Sequence, residues 1–198
     1  KNAGCKSKED VVFTIKKIID DILAESTSLT LIGGDVSSEF SIFELFVKML
    51  RKLAGSGRRT FVFVLGNHEL WNFPGLSVDE IVDKYRTVLK ENGMYLLHND
   101  LFYRNESDDM GIIPYDELIQ SDNPAILEKL RCTRLVILGG LGFSGYNEEF
   151  NANDGVYRAT VDRNTEIQES KKFEQLYDKL TDVLAKKNTV IFTHTPKK

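Results

Sequence analysis

The sequence is poor in cysteine and contains no long apolar run. Among its 198 residues only Cys5 and Cys132 are cysteines, which excludes a disulfide framework and a cysteine-based zinc site. So few thiols are typical of a reducing compartment, and a cytoplasmic location is expected. No stretch approaches the roughly 18 apolar residues that a membrane-spanning helix needs. A membrane partner is therefore not expected.

Positive charge is not in excess either. The chain has 26 Lys and Arg against 30 Asp and Glu, which gives a net charge of −4. Proteins that bind nucleic acid broadly need basic surfaces that replace counterions, so a nucleic-acid partner is not indicated. A small phosphorylated substrate remains compatible with this charge, because bound metal ions can supply positive charge. Nothing in the composition indicates an oligomeric state.

Apolar residues are abundant enough for a core. They make up 41% of the chain, and a chain of this length corresponds to one domain at the usual ~150 residues per domain. No linker or shift in composition divides the sequence, so we expect a single domain over residues 1–198. The chain has no Met at position 1 and stops at Thr-Pro-Lys-Lys, which predicts that this domain is incomplete at both ends.

The apolar residues alternate between two periods. Four segments repeat at helical spacing, within residues 12–23, 43–53, 78–89 and 173–184. Four short apolar runs predict buried strands at Leu29–Ile32, Thr60–Leu65, Leu135–Leu138 and Thr189–Phe192. Alternating helices and strands indicate an α/β fold with a largely parallel sheet.

A further pair of strands is predicted around a polar turn. Met94–Leu97 and Leu101–Tyr103 flank His98-Asn99-Asp100, a pattern typical of a β-hairpin. The hairpin would add antiparallel strands and make the sheet mixed. His98 is assigned to the turn and is given no functional role.

Polar side chains follow three of the predicted strands at the point where each strand ends. The sequences there are Gly33-Gly34-Asp35, Gly66-Asn67-His68-Glu69 and Thr193-His194-Thr195-Pro196. In α/β sheets, ligands bind outside the carboxyl ends of the strands. This edge is therefore expected to collect one carboxylate, one amide oxygen and two imidazoles.

That set of donors favours one kind of chemistry. Carboxylate, amide and imidazole ligands suit Mn, Fe or Zn. Two such ions, ~3.5–4 Å apart, can activate a hydroxide and neutralise the oxygens of a phosphoryl group. A histidine that does not bind the metals can protonate the leaving group as a general acid.

The three blocks resemble, in order and in position, the second, third and fourth motif blocks of the calcineurin-like metallophosphoesterases. The resemblance implies an α/β fold with mixed β-sheets and flanking helices, arranged as a four-layer αββα sandwich. It also implies a phosphoesterase that hydrolyses a phosphomonoester or a phosphodiester through a dinuclear site of Mn, Fe or Zn. The substrate would then be a small phosphorylated molecule.

The same resemblance implies a role for each residue of the blocks. Asp35 would bridge the two metals, and Asn67 would bind one metal and contact the phosphate. His194 would bind the second metal, while His68 would act on the leaving group. Glu69 is expected to support the ligands without binding metal.

Two departures from the family pattern bear on these roles. The family's first block, Asp-x-His, and its last, Gly-His-x-His, do not occur in this sequence, and we expect both to lie outside the 198 residues. After Gly34-Asp35 the sequence continues Val36-Ser37-Ser38-Glu39, where protein serine/threonine phosphatases have Tyr-Val-Asp-Arg-Gly. This difference disfavours a protein phosphatase and leaves open what orients His68.

The substrate rim and two alternative functions depend on other segments. Trp71, which lies just after Gly66-Asn67-His68-Glu69, either lines the substrate rim or packs within its loop. Gly139 to Gly145 contain G-x-G-x-x-G, which could bind a dinucleotide phosphate in a Rossmann-like oxidoreductase, although the residues that follow predict no helix. The favoured interpretation is that Phe143, Ser144 and Asn147 shape substrate access. The absent terminal blocks suggest a third possibility, a catalytically inactive scaffold that binds a partner.

Overall fold

The computed structural model describes residues 7–55, 59–120, 124–142, 162–184 and 188–195. Within these ranges the chain forms α1 (Lys8–Glu25), β1 (Leu29–Ile32), α2 (Phe40–Ala54), β2 (Thr60–Phe63), a 3₁₀ turn (His68–Leu70), α3 (Val78–Glu91), β3 (Tyr95–Leu96), β4 (Asp100–Asn105), β5 (Met110–Ile113), α4 (Tyr115–Gln120), α5 (Pro124–Arg131), β6 (Thr133–Gly142), α6 (Arg163–Leu184) and β7 (Thr189–Thr195).

The strands form two sheets. Sheet A has the order β1-β2-β3, and both of its pairings are parallel. Sheet B has the order β5-β4-β6-β7. In sheet B, β4 pairs antiparallel with β5 and β6, while β6 and β7 run parallel. The described chain is thus an α/β fold with one parallel and one mixed sheet.

Local sequence signals explain where two of the helices begin. α1 and α3 each start with a capping box, Ser7 with Asp10 and Ser77 with Glu80. In this motif the serine hydroxyl accepts from the third helical N–H, and the acidic side chain accepts from the serine N–H. The sequence therefore fixes the start of α3, and α3 carries side chains toward both polar clusters described below.

Alternate residues of β2 face two different apolar cores, as the two-residue period of a strand requires. Phe61 and Phe63 pack with α1, α2 and α3 on the outer face of sheet A. Val62 packs with Phe102 and Ile137 of sheet B, between the two sheets. A third core joins the outer face of sheet B to α4, α5 and α6. Helices therefore flank both sheets.

The predicted hairpin around His98 is wrong, because its two strands belong to different sheets. β3 pairs parallel with β2, with Val62 opposite Tyr95, whereas β4 pairs with β5 and β6 in sheet B. Residues 97–99 carry the chain from one sheet to the other, and Asn99 adopts φ +60° there. The observed hairpin joins β4 to β5 through residues 106–109.

The described glycines after Leu138, at positions 139, 140 and 142, belong to β6. Gly140 lies opposite Thr193 in the pairing of β6 with β7. Close packing accounts for the glycines: a Cβ on Gly139 would lie 2.6 Å from the Leu97 side chain, and one on Gly140 would lie 2.9 Å from the Asn99 nitrogen. In a Rossmann-like site the first glycines stand in a loop after the strand, whereas Gly140 and Gly142 lie within β6. Phe143, Ser144 and Asn147 lie outside the described residues.

The predicted strands at 135–138 and 189–192 are shorter than the observed β6 and β7, while the predicted strand at 60–65 is longer than β2. Two short helices, α4 and α5, have no counterpart among the four predicted helical segments. Among the described residues, none of the helices is long and apolar enough to cross a membrane.

Candidate metal centre and active site

The polar blocks that follow β1 and β2 meet the end of β7 at one place. Asn67 Oδ1 lies 3.1 Å from His194 Nε2, and Asp35 Oδ2 lies 3.5 Å from the same nitrogen. The Asp35 carboxylate also lies 3.9 Å from His68 Nε2. Because β1 and β2 belong to sheet A and β7 to sheet B, the cluster stands where the ends of both sheets come together.

The protonation of His194 follows from its contact with the main chain. Its Nδ1 lies 2.8 Å from the Gly33 carbonyl oxygen. A carbonyl can only accept a hydrogen bond, so Nδ1 carries the proton. In the neutral imidazole, Nε2 then directs a lone pair at two oxygen acceptors, those of Asn67 and Asp35. Three acceptor atoms facing one another require a proton or a cation between them, and the donor types suit a transition metal.

Asp35 is held in a conformation that aspartate rarely adopts. Its φ is +55°, and the preceding Gly34 has φ +83°. Such backbone strain persists only where the surroundings impose it, and it is concentrated at functional sites. The neighbouring loop leaves no room for a side chain at Gly66, since a Cβ there would lie 2.1 Å from Asp35 Oδ1. The position of the carboxylate therefore depends on glycine at position 66.

Glu69 connects the loop after β1 to the loop after β2. Its side chain is fully buried and accepts hydrogen bonds from the main-chain N–H groups of Asp35 at 2.8 Å, Gly66 at 2.8 Å and Ser37 at 3.1 Å. A buried carboxylate that accepts three N–H donors is well compensated for the loss of water. The carboxylate acts on the position of the loops, with its oxygens already engaged by the main chain.

A tyrosine of α3 extends this support. The Tyr85 hydroxyl donates to the Glu69 carbonyl oxygen at 3.0 Å. Burial raises the pKa of this hydroxyl, and the nearby charge of Glu69 raises it further, so Tyr85 stays protonated and keeps donating. Tyr85 also packs edge-on against Phe43 of α2, with the two ring centroids 4.7 Å apart. The loop that carries Asn67 and His68 is therefore anchored to the core.

A second group of side chains whose types can bind metal lies around the turn between the two sheets. One ligand atom from each of Asp79, His98 and Glu169 lies within 4.8 Å of the others. His98 Nε2 is 3.0 Å from Glu169 Oε2, and Lys172 Nζ donates to Glu169 Oε1 at 2.6 Å. This group could hold a metal ion, but the Lys172 ammonium already supplies a cation to the carboxylate.

Neighbouring groups stabilise the charges of Glu169 and Lys172 in this second cluster. Burial alone would raise the pKa of Glu169, but the hydrogen bonds and charges of His98 and Lys172 outweigh it and lower the pKa to about 2. Burial disfavours the charge on Lys172, yet its hydrogen bond with Glu169 raises the Lys172 pKa, and Asp79 adds to that effect. These side chains therefore form an ion-pair network, with His98 and Glu169 buried and Asp79 and Lys172 toward solvent, that joins α6 to the turn between the two sheets.

A cavity of about 830 Å³ adjoins the network, with Asp79, Arg86, His98, Tyr115 and Lys172 among its lining residues. His98 Nδ1 is buried without a hydrogen-bond partner among the described residues. Sequence reasoning missed this region, because it placed His98 in a hairpin turn without a functional role. A usable signal was present: His98 follows the end of an apolar strand, as Asp35 and Asn67 do.

The sequence comparison agrees with this geometry. The profile of the calcineurin-like phosphoesterase family matches residues 10–198, nearly the whole chain, and the chain belongs to this family. The resemblance inferred from the three motif blocks is thereby confirmed. No curated protein and no solved structure matched the chain.

Proposed function

We propose that the protein is a metal-dependent phosphoesterase that hydrolyses a phosphomonoester or a phosphodiester through a dinuclear site of Mn, Fe or Zn. We further propose that its complete fold is the four-layer αββα sandwich of its family. The observation that supports the proposal most strongly is the approach of two oxygens, one from Asp35 and one from Asn67, to within 3.5 Å of His194 Nε2.

In this proposal the chain's own residues divide the work of holding the metals. Asp35 would hold both metals, Asn67 would hold one of them and contact the phosphate, and His194 would hold the other. Bound metals would neutralise the phosphoryl oxygens and lower the pKa of a bound water. Glu69 holds the loops that present Asp35 and Asn67, and His194 is oriented by the Gly33 carbonyl.

His68 completes the reaction on the opposite side of the phosphorus from the attacking water. As the new P–O bond forms, the bond to the alcohol breaks, and the His68 imidazole gives its proton to the departing oxygen. The His68 side chain is 42% exposed, which supports its access to a substrate. The Trp71 ring stacks on it, and Phe143, Ser144 and Asn147 are the proposed members of the substrate rim.

The test is a comparison of variants in the complete polypeptide supplied with Mn²⁺. The substrates are 4-nitrophenyl phosphate and bis(4-nitrophenyl) phosphate. We expect Asn67→Ala and His68→Ala each to lower kcat about 100-fold or more, and chelation with EDTA to remove the activity. Asn188→Ala, which changes an exposed asparagine before β7, is the control and should turn over like the wild type.

Equal turnover by the wild type, Asn67→Ala and His68→Ala would contradict the assignment. A wild type that binds Mn²⁺ and hydrolyses neither ester would favour the inactive scaffold instead.

A further inference from the structure

The orientation of the His68 imidazole is the open question of the proposed mechanism. Its main chain is anchored, since the His68 N–H donates to Asp35 Oδ1 at 3.1 Å. The ring is less constrained. Within the described residues its ion-pair partner is Asp35, and the 3.9 Å between their nearest atoms exceeds hydrogen-bond distance. An anchored backbone leaves the side-chain torsions free to choose among rotamers, so an effective general acid at this position needs another contact.

Trp71 supplies such a contact. The centroids of the His68 and Trp71 rings lie 3.6 Å apart, and the ring planes are tilted by 30°. The two rings are therefore close to parallel and in direct contact over their faces. A ring stacked in this way restricts both torsions of the imidazole, because rotation about Cα–Cβ separates the rings and a partial rotation about Cβ–Cγ tilts their planes apart.

The local backbone explains why the two rings meet. His68–Leu70 form a single turn of 3₁₀ helix, in which side chains three positions apart eclipse one another. The Trp71 N–H closes the turn by donating to the His68 carbonyl at 3.3 Å. In an α-helical turn the same two side chains would be offset by about 60° around the axis. The 3₁₀ turn therefore sets the stack.

We propose that Trp71 is a positioning residue for phosphoester hydrolysis, whose indole ring holds the His68 imidazole in the orientation from which it protonates the leaving group. This inference rests on the proposed function and extends it. An aromatic ring performs this task here, since Ser38 stands where the pattern of the protein serine/threonine phosphatases has its second aspartate. Trp71 acts through His68 and does not itself donate or accept the transferred proton.

A positioning role has a kinetic consequence that a merely structural role lacks. Loss of the indole should slow proton transfer and leave substrate binding nearly unchanged, so kcat falls while KM stays constant. The loss should be larger for a basic leaving group, which needs the proton, than for 4-nitrophenolate, which leaves readily without it.

The experiment compares Trp71→Leu with Trp71→Phe in the complete Mn²⁺-loaded protein. The substrates are phenyl phosphate and 4-nitrophenyl phosphate or, for a diesterase, diphenyl and bis(4-nitrophenyl) phosphate. We expect Trp71→Leu to lower kcat about tenfold on the phenyl ester and less than about threefold on the nitrophenyl ester. Trp71→Phe, which keeps an aromatic face, should restore most of the loss, and KM should change by less than about twofold.

A second readout does not depend on activity. Protons of the His68 ring lie against an indole face, so their NMR signals should be shifted upfield in the wild type relative to Trp71→Leu. Retained metal content and an unchanged far-ultraviolet CD spectrum in both variants show that the fold is intact.

The outcomes separate the two proposals. An active wild type combined with equal kcat for Trp71→Leu and Trp71→Phe, or with equal losses on both esters, overturns the role of Trp71 alone. An unshifted His68 signal overturns the stack itself. A wild type that hydrolyses no ester contradicts the proposed function, and with it any catalytic role of the stack, even where the His68 signal is shielded.

Discussion

Two histidine and carboxylate clusters in this protein use the same residue types in opposite ways. In the first cluster, Asp35 and His194 are 36% and 21% exposed, and the ion-pair partners of Asp35 within the described residues are two imidazoles. In the second, His98 and Glu169 are 6% and 9% exposed, and the Lys172 ammonium donates to Glu169.

The comparison shows that ligand type alone does not define a metal site. A buried carboxylate must be compensated by a positive charge or by hydrogen bonds. The second cluster contains its cation as a lysine side chain. The first brings acceptor atoms together at a more exposed place, and a bound cation would compensate them. Equivalent substitutions in the two clusters should therefore have different effects.

The largest expected effect is on catalysis at the first cluster. Asp35→Asn keeps the shape of the side chain but removes the charge that would bridge two cations, so kcat should fall about 1,000-fold. Glu169→Gln makes the same chemical change in the second cluster and should leave kcat within about twofold of the wild type. Steady-state hydrolysis of 4-nitrophenyl phosphate by both variants gives the two kcat values. Similar losses of kcat in the two variants would contradict the distinction between the clusters.

The next effect is on stability at the second cluster. Glu169→Gln leaves the Lys172 and His98 groups without their carboxylate, which should lower the free energy of unfolding by about 3 kcal/mol. Urea denaturation followed by circular dichroism gives this value. Glu174→Gln, an exposed position on the same helix, is the matched control and should change stability by less than about 0.5 kcal/mol. Equal losses at positions 169 and 174 would argue against a buried ion-pair network.

A smaller effect is expected from the backbone of the first cluster. Gly66→Ala places a Cβ against Asp35 Oδ1 and should shift the carboxylate enough to lower kcat/KM about 100-fold. Gly33→Ala is the control, since a Cβ there meets its nearest atom at 3.8 Å. Unchanged kinetics in Gly66→Ala would mean that the position of Asp35 does not depend on this contact.

The smallest effect is a pH dependence of the second cluster. The pKa of Glu169 is lowered from 4.5 to about 2, so its stabilisation is fully present above pH 4.5 and is lost as the pH falls through 2. The stability difference between the wild type and Glu169→Gln should therefore drop by about half between about pH 5 and about pH 3. Urea titrations of both proteins at several pH values measure this difference in stability. A difference that stays constant with pH would contradict the prediction.

The sequence was sufficient for the family, the main helices and the strand ends that bear Asp35, Asn67 and His194. These features depend on local patterns, namely an apolar run followed by a polar turn. The roles of the individual ligands, the substrate rim and the incompleteness of the domain stay predictions.

Features that depend on contacts between distant residues could not be derived in this way. Tyr95 and Leu96 have the apolar pattern of either sheet, and only their pairing with β2 decides that β3 lies in sheet A. The His98–Glu169 contact joins residues 71 positions apart, and Glu169 looks like any polar residue of an amphipathic helix. Likewise, the glycine run resembled a phosphate loop because the sequence does not show that Leu97 and Asn99 pack against it.

The most direct test of this account uses the three histidines of the chain, two of which lie in the first cluster and one in the second. Zn²⁺ is titrated into the complete protein while the ring nitrogens of His68, His98 and His194 are followed by ¹H–¹⁵N NMR. The account predicts a coordination shift at His194 Nε2, with His98 unchanged. A shift at His98, with His194 unaffected, would contradict it.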